Sequence, residues 1–253
     1  MYPNPLKQKM KKGDLVLGVS LDEVSERVTT TTCKLDIDFL WIDTEHRPYG
    51  VESLDMLPII ARRAGVAPLI RVAWNDPALI KKAYDVGAVA VMVPQINPAE
   101  EAAKAVEYAF YPPKGERGVA PNWPALAGED YIKVVQTAND ETVLILQIES
   151  KRAYDNLDEI LKVPGFDGLF LGPMDMSASL GVIGKLNGPE VEEVQRGLAE
   201  RLKGTGIAAC TLLNSLDMDE ARRKIGWGYN FFSMSTPLSW GIQTLNQNLK
   251  SLR

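Results

Sequence analysis

Eight short apolar runs punctuate the chain, each breaking off at glycine or at polar residues. They are LVLGVS (15–20), FLWIDT (39–44), PLIRV (68–72), AVAVMVP (88–94), TVLILQIE (142–149), DGLFLGP (167–173), IAACTLL (207–213) and GYNFFSMST (228–236). Within them apolar residues follow one another rather than alternate with polar ones, as in parallel strands covered on both faces. Between them lie charge-bearing amphipathic segments at 97–109, 151–162, 189–203 and 215–226, which predict helices. Asn75-Asp76-Pro77 and Asn97-Pro98 place a capping residue beside a first-turn proline, and Gly65, Gly87, Gly165, Gly206 and Gly226 follow helical segments. Pro58, inside 51–65, is expected to kink or restart its helix.

Eight β–α units in 253 residues predict an α/β fold, a (β/α)8 TIM barrel in a single domain over 1–253. A doubly wound sheet is the alternative, but no Gly-x-Gly-x-x-Gly opens a helix and no Walker sequence is present. The longest excursion, 111–131, is rich in Pro, Gly and Trp, and long loops inside compact domains are commonly functional. Segment 238–253 carries apolar residues on one side.

Charge narrows the partners. The net charge is −5, and the one basic stretch, KQKMKKG (7–13), has no interleaved aromatics, so neither nucleic acid nor an anionic membrane is expected. Cys33 and Cys210 form no disulfide framework or metal motif. With no signal-like or membrane-length apolar run, the expectation is a soluble cytoplasmic protein.

In a barrel, chemistry collects where strands end at their C-termini. The only histidine, His46, follows the second run together with Asp43, Thr44 and Glu45; Arg71 ends the third run; Gln147 and Glu149 end the fifth; Asp175 follows the sixth. Glu149 and Asp175 admit two readings, an arginine–carboxylate network or a hard dication such as Mg²⁺ or Mn²⁺. Arg71 is either an anion clamp or the partner of Glu45 or Glu149. Gln147, two residues before Glu149, shares its strand face.

The segments WIDTEH, PLIRV, YPPKGERG, LQIES and VPGFDGLFLGPMDMSASLG, in this order, resemble the HpcH/HpaI family of class II, metal-dependent pyruvate aldolases. The resemblance implies a barrel of the pyruvate/phosphoenolpyruvate type, with the last helix exchanged between subunits of a homohexamer (a trimer of dimers). It implies reversible aldol cleavage of 4-hydroxy-2-oxo acids, through a metal-bound enolate, to an aldehyde and pyruvate or hydroxypyruvate. Glu149 and Asp175 would bind Mg²⁺, Mn²⁺ or Co²⁺; Gln147, Asp175 and the backbone around Met174 would contact pyruvate. Arg71 would stabilise the enolate oxygen, and His46 would be the general base. Asp85, in AYDVGA, would raise the basicity of the histidine. Because it precedes its strand, it should reach only a neighbouring subunit's His46, with Asp43 as the within-chain rival. Arg47, Tyr49 and Trp123 would bear on the aldehyde partner, Trp123 by packing over it. Competing expectations are a CoA-thioester lyase or oxaloacetate decarboxylase of the same superfamily, and a non-catalytic carboxylate-binding protein.

Overall fold

The structure, a computed structural model, describes residues 4–213 and 218–253. Eight parallel strands close into a barrel in chain order: β1 (Val16–Ser20), β2 (Phe39–Asp43), β3 (Ala67–Arg71), β4 (Ala90–Val93), β5 (Val143–Ile148), β6 (Gly168–Leu171), β7 (Ala208–Leu213) and β8 (Phe231–Met234). Register pairs Val16 with Phe231 and Gly18 with Ser233, joining first strand to last. All eight apolar runs thus form strands. The run 228–236 is trimmed because the Tyr229 N–H still bonds the carbonyl of Lys224 in the preceding helix, and Ser235 turns the chain at φ 41°.

The continuous apolar character has a direct cause. Leu40, Ile42, Ile70, Val91, Val93, Leu144, Leu146 and Leu169 pack outward beneath the helices. Phe39, Trp41, Leu69, Met92, Ile145, Phe170 and Phe231 fill the interior, where Phe39 stacks on Phe231 at 4.4 Å and Trp41 meets Phe170 edge-on at 5.2 Å. Both strand faces are covered, so apolar residues dominate both.

The two ends of the barrel differ. A helix over Pro5–Lys12 starts at Asn4, whose side chain accepts the N–H groups of Leu6 and Lys7, and stops at Gly13 with φ 72°. Its Leu6 and Met10 join the interior cluster. Lys7 reaches Asp167 at 2.7 Å and the Thr142 carbonyl at 2.6 Å. This stopper closes the end where strands begin, so the opposite end carries the opening.

Other expectations are met or corrected. Pro58 restarts a helix: a turn over Val51–Ser53 precedes the helix Leu57–Arg63 with proline in its first turn. Segment 151–162 divides at Asn156 into Lys151–Asp155 and Leu157–Ile160. The excursion 111–131 is not loop throughout, because Trp123–Ala127 is helical and a further helix starts at Tyr131. Trp123 does not pack over a substrate at this chain's own rim. It is 6% exposed, packs with Ile59 and Val134, and lies 3.6 Å from the Arg62 guanidinium, which bonds the carbonyls of Gly87 and Ala88 ahead of β4. Apolar contact and the cation hold it at the closed end. The helix foreseen at 215–226 is seen over Met218–Trp227, its first residues, 215–217, lying outside the described residues. No helix among the described residues is long and apolar enough to cross a membrane.

Gly18 tests the interior packing. A Cβ there would lie 2.5 Å from both the ring and the carbonyl of Phe39, and that ring is pinned on Phe231. Gly18→Ala is therefore expected to destabilise the barrel by about 1–3 kcal/mol, read from chemical denaturation; an unchanged midpoint would mean that the ring has room.

Candidate active site

Register builds the site. Asp43 and Arg71 are the last residues of β2 and β3 and stand opposite each other. Arg71 grips Asp43 with two bonds, Nε to Oδ1 at 2.8 Å and Nη2 to Oδ2 at 2.7 Å, the fork geometry only arginine supplies. The Glu45 N–H also donates to Asp43 Oδ1 at 3.1 Å. Glu45 Oε2 lies 2.9 Å from Arg71 Nη1; that buried oxygen has no aligned hydrogen-bond donor, so the contact is ionic. Beneath, the Trp41 ring centroid is 4.8 Å from the guanidinium carbon.

The chain of contacts continues across the rim. Arg71 Nη1 reaches Gln147 Oε1 at 3.4 Å, and Gln147 Nε2 donates to Glu149 Oε2. Glu149 Oε1 takes the backbone N–H of Gln95 at 2.8 Å. Asp175 stands in the first turn of the helix Pro173–Ser179, which Gly172 opens. Met174 is half-exposed in the same turn, and its carbonyl accepts from Ser177 Oγ at 2.6 Å. The amide expected at the end of β5 therefore touches both Arg71 and the Glu149 carboxylate, and Asp175 is near enough for its charge to act on Glu149.

Burial and like charge crowd this rim. Burial pushes the Glu149 carboxyl up to about 7, with Glu45 and Asp175 adding to the rise, while the Gln95 N–H and Arg71 oppose it. Glu45 is raised by burial against the pull of Arg71 and His46. For Asp43 burial also acts upward, but the Arg71 bonds and charge win and hold it below the ordinary range. A cluster of oxygen ligands that repel one another and include no thiolate fits a hard dication. Among the described residues no three His, Cys, Asp or Glu side chains converge as a ligand set. Glu149 and Asp175, the two carboxylates the resemblance names, would be the protein ligands of such an ion, leaving other positions for water and substrate.

His46 lies at the mouth with its side chain 61% exposed and Nε2 3.7 Å from Glu45 Oε2. Asp43 gives both oxygens to Arg71, so within the chain it orients the guanidinium rather than the imidazole. Asp85 ends the helix Pro77–Asp85, which runs back to the closed end ahead of β4, and the structure does not bring it to its own rim. Its neighbours are Arg117 and Lys81, and burial lifts it to about 6; its Oδ1 is buried without a hydrogen-bond partner. Arg47 is exposed, whereas Tyr49 is half-buried against the core. Glu45, expected as a possible partner of Arg71, does form that ion pair. Gln95 was not foreseen and gave no signal, because its contribution is a main-chain N–H.

Fold and rim together define a (β/α)8-barrel carbon–carbon lyase. The model of the HpcH/HpaI aldolase/citrate lyase family matches residues 21–239, and the chain belongs to that family. A 2-keto-3-deoxy-L-rhamnonate aldolase of Escherichia coli (strain K12) is 36% identical over 256 residues, covering 98% of this chain and 93% of the relative. A crystal structure of a family protein from Burkholderia cenocepacia J2315 superposes with TM-score 0.90 at 31% identity, over 99% of both chains. An HpcH/HpaI aldolase from Desulfitobacterium hafniense DCB-2 gives TM-score 0.87 at 27% identity, over 98% of this chain and 96% of that one.

Gly172 sits against the Gln147–Glu149 pair: a Cβ there would be 3.0 Å from Gln147 Nε2 and from Glu149 Oε2. Gly172→Ala is expected to lower turnover about ten- to hundredfold, as small misplacements of reacting groups do, with the melting temperature little changed. Native turnover in this variant would show that the pair tolerates displacement.

Proposed function

We propose that this protein is a class II pyruvate aldolase, joining pyruvate (or hydroxypyruvate) to an aldehyde and splitting the resulting 4-hydroxy-2-oxo acid. The observation that carries this reading is the connected rim Asp43–Arg71–Gln147–Glu149, with Asp175 beside it and His46 exposed at the mouth. A 2-keto-3-deoxy sugar acid, the compound class in the name of the Escherichia coli relative, is itself a 4-hydroxy-2-oxo acid.

Glu149 and Asp175 would hold the dication (Mg²⁺, Mn²⁺ or Co²⁺), whose Lewis acidity makes the methyl protons of a bound keto acid removable by imidazole. Gln147, Asp175 and the backbone around Met174 contact the keto acid. Arg71, held rigid by Asp43 and Glu45, places fixed positive charge where negative charge grows on the keto oxygen. His46, at the open mouth, takes the methyl proton and passes one to the aldehyde oxygen as the new bond forms; on cleavage it takes the 4-hydroxyl proton and returns one to the enolate carbon. The carboxylate that assists it is Asp85 of the partner subunit: His46 is exposed, and Asp85 is only partly buried and lies away from its own chain's rim. The helix Pro237–Ser251, with Leu238, Ile242, Leu245 and Leu249 exposed, suits exchange within a homohexamer. Two free thiols suit the cytoplasm.

Deuterium exchange at the pyruvate methyl group, followed by NMR, tests the chemistry without knowledge of the aldehyde. Exchange is expected to vanish on exhaustive chelation and to return with Mg²⁺, Mn²⁺ or Co²⁺. His46→Ala and Arg71→Ala are each expected to slow it about 10²- to 10³-fold with the fold intact. Exchange that survives chelation, or that persists without His46, sinks the reading.

Asp85 carries a pH signature. Its carboxyl rises from 3.8 to about 6 in the folded chain, so the fold favours the protonated form. The contribution of this group is most favourable below about 4, is lost as pH rises through the window to about 6, and stays lost above it. In dissociated subunits Asp85→Asn is expected to flatten that slope, read by denaturation between pH 4 and 7, while turnover of the assembled enzyme falls. An Asp85→Asn enzyme with native turnover and a native pH profile would remove Asp85 from the mechanism.

A further inference from the structure

The chain leaves β4 through Pro94 and then does something costly. Gln95 adopts φ 58°, the left-handed region that side-chain-bearing residues rarely enter. A web of bonds imposes this conformation. Asn97 Nδ2 donates to the Gln95 carbonyl at 2.8 Å, and the Asn97 N–H donates to Glu101 Oε2 at 2.8 Å. The Ile96 N–H reaches the Gln147 carbonyl at 3.3 Å, and Ser150 Oγ donates to Asn97 Oδ1. The turn is thereby tied to β5 and to the residue after Glu149. Its product is a single amide hydrogen aimed at Glu149 Oε1, 2.8 Å away.

We infer that Gln95 is a positioning residue for the cation site: its left-handed backbone fixes the Glu149 carboxylate before any ligand arrives. The inference rests on the reading of Glu149 as a metal ligand. With one oxygen held by the Gln95 main chain and the other by Gln147, the carboxylate has one orientation. A swinging carboxylate would lose rotamer freedom on binding, whereas a fixed one has already lost it. The strain at Gln95 is the kind that persists where surrounding contacts over-determine a functional turn.

The test is Mn²⁺ affinity without substrate, by calorimetry or by the EPR signal of free ion, beside circular dichroism and melting. Gln95→Val, whose branched side chain resists the left-handed region, is expected to bind Mn²⁺ about tenfold more weakly or worse. Gln95→Gly and Gln95→Asn, both at home there, are expected to stay within about threefold of native. That contrast separates backbone placement from a contact of the Gln95 side chain. Should Gln95→Val fail to fold, Asn97→Ala, which releases the Gln95 carbonyl, is expected to weaken Mn²⁺ binding severalfold. Native Mn²⁺ affinity in a folded Gln95→Val (or, where that variant does not fold, in Asn97→Ala) overturns the proposal, as does a loss in Gln95→Gly equal to that in Gln95→Val. Glu149→Gln supplies the reference: if it binds Mn²⁺ normally, the assignment of Glu149 as ligand fails and the proposal with it. If it loses Mn²⁺ while Gln95→Val does not, only the role of Gln95 fails.

Discussion

One guanidinium makes the mouth of this barrel possible. Asp43, Glu45, Glu149 and Asp175 are gathered where the strands end, partly or fully removed from water. Unit charges a few ångströms apart at a protein surface interact by about 4 kcal/mol, so carboxylates at this density push one another toward protonation. Arg71 answers with its fork to Asp43, its ion pair to Glu45 and its reach to Gln147. It has one edge for each neighbour, which a lysine would not. The compensation is uneven: Asp43 is held below the usual carboxylate range, whereas Glu149 remains near 7. The negative charge left over lies on the Glu149 side of the rim, beside Asp175, which is where a cation would be most welcome.

Two of the groups that touch Arg71 stand on strands. Asp43 comes from a strand end in register with Arg71, and Gln147 comes from β5, buried on both faces. Gly172 lets the next chain segment pass close against the Gln147–Glu149 pair. Sites placed on such elements hold their geometry better than sites on loops. The stopper helix contributes from the other end, filling the base with Leu6 and Met10. The exception is His46, which follows β2 in an irregular segment and remains exposed. An exposed position suits the proton-carrying role proposed for it.

Much of this was legible in the chain. Strands covered on both faces cannot disguise themselves as amphipathic helices, so all eight runs stood out and β8 was merely overextended. Asp43, Arg71, Gln147 and Glu149 could be placed on one rim because strand ends share a rim in any barrel. Allegiance within the rim was not legible. Whether Asp43 serves Arg71 or His46 depends on the pairing of residue 43 with 71, a register that no local pattern encodes. Where Trp123 packs was not legible for a similar reason: a loop tryptophan is equally at home at its own chain's rim or against Arg62, and only the tertiary path decides. Gln95 was invisible because backbone conformation, not side-chain chemistry, gives it its part.

The single chain carries two complementary deficits. At the open end an imidazole stands exposed, its nearest carboxylate oxygen 3.7 Å away and already committed to Arg71. At the closed end Asp85 is partly buried beside Arg117, with one oxygen unpartnered. Arg117 itself, between the rings of Tyr84 and Tyr111 at 4.3 and 4.0 Å, has a buried Nε without a hydrogen-bond partner. Unpaired buried polar groups cost stability, and these two atoms are shut off from solvent within the chain. Asp85 as a residue is only partly buried, so in the proposed assembly a second copy that brings its open rim to this face would give His46 its carboxylate. The exposed leucine stripe on the last helix provides the apolar area that such an assembly needs, so catalytic competence and subunit association would depend on the same contact.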